Sequence, residues 1–331
     1  MRIKSMTENA DLNKQVIQWG YQYLSSHGYK LKSSQPESVQ TTPWSFVVRF
    51  RTSAGYIYLK QTPEMLALEP IITQILHKQF HASVPKVIAH NAELNCFLMK
   101  DAGKLLREIL KQQFDAALYC RAIEQFTSMQ LAVADYVDIF LDIAVPDWRL
   151  DKLPDLYMQL LAQKKVLLAD GLSEKEISEL EKLLPRVSSL CQKLSDYAIK
   201  PSIVQPDFHD NNMLIADKSR DITIIDLGEI AISHPFFSLI NCLHQAKKHH
   251  ILTDDTYLRL RDACLKNFMI FGTKRYLLEA FAIADILFFI YGALGDYRLL
   301  IACDKAKFTS SFQRHGRLSI PLKKFLATCL S

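Results

Sequence analysis

The chain has 331 residues, 49% of them hydrophobic and 23% charged, a composition that excludes disordered and fibrous classes and leaves room for two sizeable cores. Its 40 basic and 35 acidic residues give a net charge of +5 without a dense basic block; the nearest, Lys247-Lys248-His249-His250, reads as a solvated helix face, so no nucleic-acid partner is expected. Seven widely spaced cysteines form no C-x-x-C pair and no signal-peptide core opens the chain, which together predict reduced thiols in a cytoplasmic protein.

Leu12, Val16, Trp19 and Tyr23 recur at helical spacing and predict a helix over about residues 9–26, ended near Gly28. The β-branched and aromatic runs Ser45 to Phe50 and Tyr56 to Lys60 predict a hairpin closed by a turn containing Gly55. Thr62-Pro63-Glu64 then has the form of a helix start, with Met65, Leu68, Ile72 and Ile75 on one face and an end near Gln79. Two short strands, 86–89 and 96–99, complete a small sheet with one helix inserted midway. From Leu105 the pattern is almost wholly helical. Ser173 and Glu176 make a capping box before a helix reaching about Ser195, and the apolar run from Tyr276 to Tyr291, interrupted by Glu279 and Asp285, reads as a buried core helix and not as a membrane span. The exception is 202–228, where strand-like pieces surround a polar loop.

That exception carries the chemistry. It reads Ile203-Val-Gln-Pro-Asp-Phe-His-Asp-Asn-Asn212, then Ile222-Thr-Ile-Ile-Asp-Leu-Gly228. Asp207 lies five residues before Asn212, and Asp226 ends an apolar strand just ahead of Gly228. This order suits phosphoryl transfer, in which one carboxylate meets the acceptor hydroxyl while an amide oxygen and a second carboxylate hold magnesium on the phosphates.

On these residues the chain resembles the aminoglycoside phosphotransferase and choline kinase-like families, whose loop reads His-x-Asp-x-x-x-x-Asn ahead of a strand ending in Asp. Ser233-His-Pro-Phe-Phe-Ser-Leu239 is similar to the segment opening their next helix. The resemblance implies an α+β, protein kinase-like two-lobed fold: residues 1–100 as a small β-rich nucleotide-binding lobe with a leading helix, and 101–331 as a larger, mostly helical catalytic and acceptor-binding lobe. It implies ATP or GTP and Mg2+ as cofactors. Asp207 would be the catalytic carboxylate, Asn212 and Asp226 the metal ligands, and His209 a hydrogen-bonding support. Lys60 would meet the nucleotide phosphates, fixed by Glu69, with Glu64 on the same helix as the competing partner. Met99 and Asp101 belong to the segment whose backbone would bind adenine.

Two departures stand out. Gln205 occupies the place of the family's first histidine, and Gly55 is the only glycine between Gly28 and Gly103, so no glycine-rich loop exists; Thr41 to Ser45 stands in its place. From Glu229 to the end, 8 acidic residues face 14 lysines and arginines, which disfavours a polycationic acceptor and points to a sugar, amino alcohol or similar small molecule. The competing expectation is a nucleotide-binding pseudokinase with a regulatory or scaffolding role. Phosphorylation of a protein is the weaker reading, because only a short stretch separates Gly228 from Pro235. The spacing leaves the oligomeric state open and implies no membrane partner.

Overall fold

The computed structural model describes residues 6–303 and 315–330; the charged residues within 304–314 that enter the acid–base count lie outside them. The described residues divide into two compact units, the first comprising 6–103, 225–228 and 299–303, the second 104–224, 229–298 and 315–330.

The first unit is a five-stranded antiparallel sheet with helices. Helix α1 (Met6–Ser26) precedes strands β1 (Glu37–Thr42), β2 (Ser45–Thr52) and β3 (Gly55–Gln61), then helix α2 (Glu69–Gln79) and strands β4 (Val87–Asn91) and β5 (Cys96–Lys100), in the sheet order β1-β2-β3-β5-β4. The β2–β3 hairpin is tighter than its sequence suggests. Thr52 pairs with Gly55 across a two-residue turn, and the Thr52 hydroxyl donates to the Gly55 carbonyl at 2.7 Å while accepting from the Ala54 amide.

Alternation along β2 and β3 sends Val48, Phe50, Ile57 and Leu59 to one buried cluster with Val16 and Leu24 of α1 and Cys96 and Leu98 of β5. Gly20 lets α1 approach closely, since a β-carbon there would stand 2.9 Å from the Phe50 ring. Strand β1 is an element the sequence reading missed. It is mostly exposed and polar, and an edge strand of that kind has no apolar alternation to betray it.

The helix expected to open at Thr62 is broken instead. Glu64–Leu66 forms one 3-10 turn, and α2 begins afresh at Glu69 with Pro70 in its first turn. A continuous helix would lose the hydrogen bond at residue 70 and press the proline ring on the carbonyl of Leu66. The buried face is accordingly Pro70, Ile72, Thr73 and Leu76, while Met65 is exposed. Leu66 packs with Leu299, Leu300 and Trp44 in a separate small cluster of this unit.

The second unit carries strands β6 (Lys104–Leu105), β7 (Ser202–Val204), β8 (Met213–Ile215), β9 (Ile222–Ile224) and β10 (Ala231–Ser233), paired as β6-β8-β9 and β10-β7. Helices dominate it. They include α3 (Leu106–Gln112), α4 (Ala116–Val133), α5 (Asp138–Asp142), α6 (Leu153–Leu161), α7 (Lys164–Ala169), α8 (Glu174–Lys182), α9 (Leu184–Ser195), α10 (Phe236–His249), α11 (Asp254–Lys266) and, as far as Arg298, α12 (Lys274–Ala302).

Ser173 caps α8 with a complete capping box, but the helix expected to reach Ser195 divides at Leu183, where Pro185 enters the first turn of α9. Helix α12 is long and apolar enough by composition to cross a membrane, yet Leu277, Ala280, Ala284, Leu287 and Tyr291 form a stripe buried in the structure at helical spacing. Trp148 is a packing residue, edge-on to Tyr291 at 5.5 Å.

Candidate active site

In the first unit, β3 and α2 bring Lys60 and Glu69 together. Lys60 lies across from Val47 and Phe97 in the sheet, and its ammonium meets Glu69 Oε2 at 2.6 Å. Both residues are buried, at 5% and 4% exposure, whereas the rival Glu64 is exposed on the 3-10 turn. Lys60 also bonds Asp226 Oδ1. Burial works against the ammonium, but the Asp226 and Glu69 carboxylates outweigh it and hold the lysine pKa above its ordinary value. Burial pushes the Glu69 carboxyl up, and Lys60 together with the Leu227 backbone N–H opposes that shift.

Asp226 has a left-handed backbone, φ +65°, a conformation that aspartate tolerates better than most residues. Such strain persists only where surrounding contacts over-determine it, and the bond to Lys60 is one such contact. Met99 pairs in the sheet with Tyr58 and Val87; Asp101 follows, its carboxylate accepting from the Gly103 amide at 3.0 Å.

In the second unit, the loop after β7 is fastened from several sides through its backbone. Gln130 of α4 donates to the Ile203 carbonyl at 2.9 Å, and Tyr291 of α12 to that of Val204 at 3.4 Å. The Ser238 hydroxyl on α10 both accepts from the Gln205 amide and donates to its carbonyl. Phe208 stacks on Phe126 at 3.7 Å, and Asn241 reaches the Phe208 carbonyl. Gln205 is thus a buried member of a backbone clamp.

This clamp holds the polar residues between buried neighbours. Asn212 Nδ2 donates to Asp207 Oδ2 at 3.1 Å and to the Asp207 carbonyl at 2.8 Å. His209 Nε2 lies 3.0 Å from Asp207 Oδ1. The Asp207 side chain nonetheless stays 55% exposed, so its orientation is fixed while its carboxylate remains accessible.

Asp210, which the sequence reading did not single out, is fully buried behind this pair with Arg107 of α3 and His250 as partners. Burial works against its charge, yet Arg107 and His250 hold the Asp210 carboxyl below the usual range. No spacing rule could have found Arg107, which lies 103 residues from Asp210.

The donor chemistry fits magnesium. Asn212 donates through Nδ2 to Asp207, which leaves its hard amide oxygen as the ligand it can offer, while in the first unit Asp226 offers a carboxylate. Among the described residues no group of three histidine, cysteine or acidic side chains could hold a metal.

Comparison with solved structures places the fold. An ethanolamine kinase from Plasmodium vivax aligns with a TM-score of 0.61 at 11% identity, over 89% of this chain and 83% of that one. The choline kinase LicA from Streptococcus pneumoniae aligns with a TM-score of 0.60 at 14% identity, over 95% and 99%. The ADP-bound aminoglycoside phosphotransferase APH(2'')-Ib aligns with a TM-score of 0.53 at 13% identity, over 92% and 95%. The fold is therefore the protein kinase-like α+β fold of these proteins. No curated protein matches by sequence. The model of the phosphotransferase enzyme family matches residues 38–270, well over half the chain. By that match the chain belongs to the phosphotransferase enzyme family.

Proposed function

We propose that this phosphotransferase moves the γ-phosphoryl group of ATP or GTP, with Mg2+, to a hydroxyl of a small molecule such as a sugar or amino alcohol. The observation that carries the reading is the accessible Asp207 carboxylate, held at one oxygen by Asn212 and at the other beside His209. Asp207 orients the acceptor hydroxyl and takes its proton as transfer proceeds. Lys60, braced by Glu69, neutralises phosphate charge, and the backbone at Met99 to Asp101 binds the base. Asn212 and Asp226 would hold magnesium, which would supply positive charge against the phosphates. Fixed positioning of this kind supplies most of the rate in phosphoryl transfer. The basic excess in the chain's last third disfavours aminoglycosides without removing them from the panel to be tested.

The deciding experiment is magnesium-dependent ATP and GTP consumption by the purified protein against hydroxylated metabolites and aminoglycosides, with Asp207→Asn as control. Turnover with one acceptor, reduced by about 10²–10⁴-fold in the variant, is expected from loss of a general base. Turnover that survives the substitution removes Asp207 from the mechanism. Nucleotide binding with no turnover for any acceptor favours a regulatory pseudokinase.

A further inference from the structure

Behind the Asp207 loop, three residues that the proposed transfer leaves unused, His250, Asp210 and Arg107, form a hydrogen-bonded chain that ends on His209. Asp210 Oδ1 accepts from Arg107 Nε at 2.9 Å and from its terminal NH2 group at 2.8 Å. Asp210 Oδ2 meets His250 Nε2 at 2.7 Å. The same Arg107 NH2 group reaches His209 Nδ1 at 3.1 Å, and the Asn211 backbone N–H donates to that nitrogen at 3.1 Å. A guanidinium and a backbone N–H can only donate. Nδ1 must therefore present its lone pair, and the ring proton resides on Nε2, the nitrogen facing Asp207 Oδ1.

We infer that Arg107, held by Asp210 and His250, is a positioning residue that locks His209 as the Nε2–H tautomer and makes it a donor to Asp207. The inference rests on the phosphotransferase reading of Asp207. In this arrangement His209 has no basic nitrogen available to the acceptor, so the proton goes to Asp207. His209 and Asn212 together fix the plane of that carboxylate. The opposite tautomer would turn a lone pair toward Asp207 Oδ1 and repel it. Asp210 matters because its Oδ1 accepts from both Nε and the NH2 group, which fixes the guanidinium plane and with it the second NH2 hydrogen toward His209.

The test is 15N NMR of the full chain labelled at histidine ring nitrogens, with His209→Gln identifying the signals, combined with steady-state kinetics. At neutral pH the wild-type His209 is expected to show a protonated Nε2 and an unprotonated Nδ1. Arg107→Lys keeps a cation for Asp210 but loses the fork that serves both partners. It is expected to abolish the single-tautomer signal and lower kcat by about 10-fold to 100-fold, the cost of a small misplacement, with the nucleotide KM unchanged.

A wild-type ring protonated at Nδ1 overturns the inference, as does an Arg107→Lys protein that keeps both the Nε2–H signal and wild-type kcat. Should that variant not fold, Asp210→Ala, which removes the oxygen that accepts from Arg107, is expected to give the same two changes. The wild-type spectrum requires neither variant nor turnover. A wild-type protein without transfer activity therefore counts against the kinase reading, while the tautomer is decided by its own signal.

Discussion

Gly228 lies against the carboxylate of Glu69: a β-carbon at 228 would stand 3.2 Å from Glu69 Oε2 and equally close to the Leu66 carbonyl oxygen. The glycine serves space here and not backbone freedom, because it is not among the glycines with positive φ. Its smallness lets the segment after Asp226 run close enough for the Leu227 N–H to support Glu69. Gly228→Ala is expected to destabilise the fold by about 1–3 kcal/mol, the usual cost of overpacking a tight contact. Denaturant unfolding measures it, and an unchanged midpoint would show that the contact relaxes freely.

Lys60 and Glu69 form a buried ion pair, and such pairs are punished most when one partner is removed. Lys60→Met should cost about 3–5 kcal/mol, because the Glu69 carboxylate is left buried without its cation. Lys60→Met/Glu69→Gln should recover a good part of that loss. A double variant no more stable than the single one would mean that Asp226, not Glu69, is the partner that stabilises Lys60.

His234 is buried at 3% exposure beside Phe236 and Phe237, with no hydrogen-bond partner for its Nε2. Burial pulls its pKa from 6.5 down to about 3. The unfolded chain then binds a proton that the folded chain refuses, so this residue's contribution is intact above pH 6.5 and is lost as pH falls toward 3. Between pH 6.5 and 4.5 the loss should amount to about 2–3 kcal/mol, at roughly 1.4 kcal/mol per pH unit. His234→Leu should flatten that part of the stability profile. Identical slopes in the two proteins would rule His234 out as the cause.

Asn212 acts on Asp207 as a donor, which distinguishes it from a carboxylate of the same shape. Asn212→Asp would set two acceptors about 3 Å apart and push Asp207 from its position. Turnover is expected to fall by about 10²-fold or more, with no rescue by added Mg2+. A variant that regains full rate at high Mg2+ would show Asn212 to be a metal ligand whose bonds to Asp207 do not matter.

What the chain alone determined is whatever local order encodes. The paired runs of β2 and β3 announce a hairpin through alternation, Ser173 and Glu176 announce a cap, and the ordered set from Asp207 to Asp226 has a spacing that suits phosphoryl transfer. Each of these signals lies within one short stretch of chain, at most the 19 positions from Asp207 to Asp226, so composition and period suffice to read them. Tertiary structure decided the rest. Pro70 breaks the helix that Thr62 seemed to open, and only the folded unit buries Glu69 while leaving Glu64 in solvent. Polar β1 becomes a strand because β2 offers it an edge. Arg107, Asp210 and His250 join into one hydrogen-bonded chain around the buried Asp210 carboxylate, across 143 positions from 107 to 250. Burial of a charge is a property of surroundings contributed by distant segments, and no window of sequence contains it.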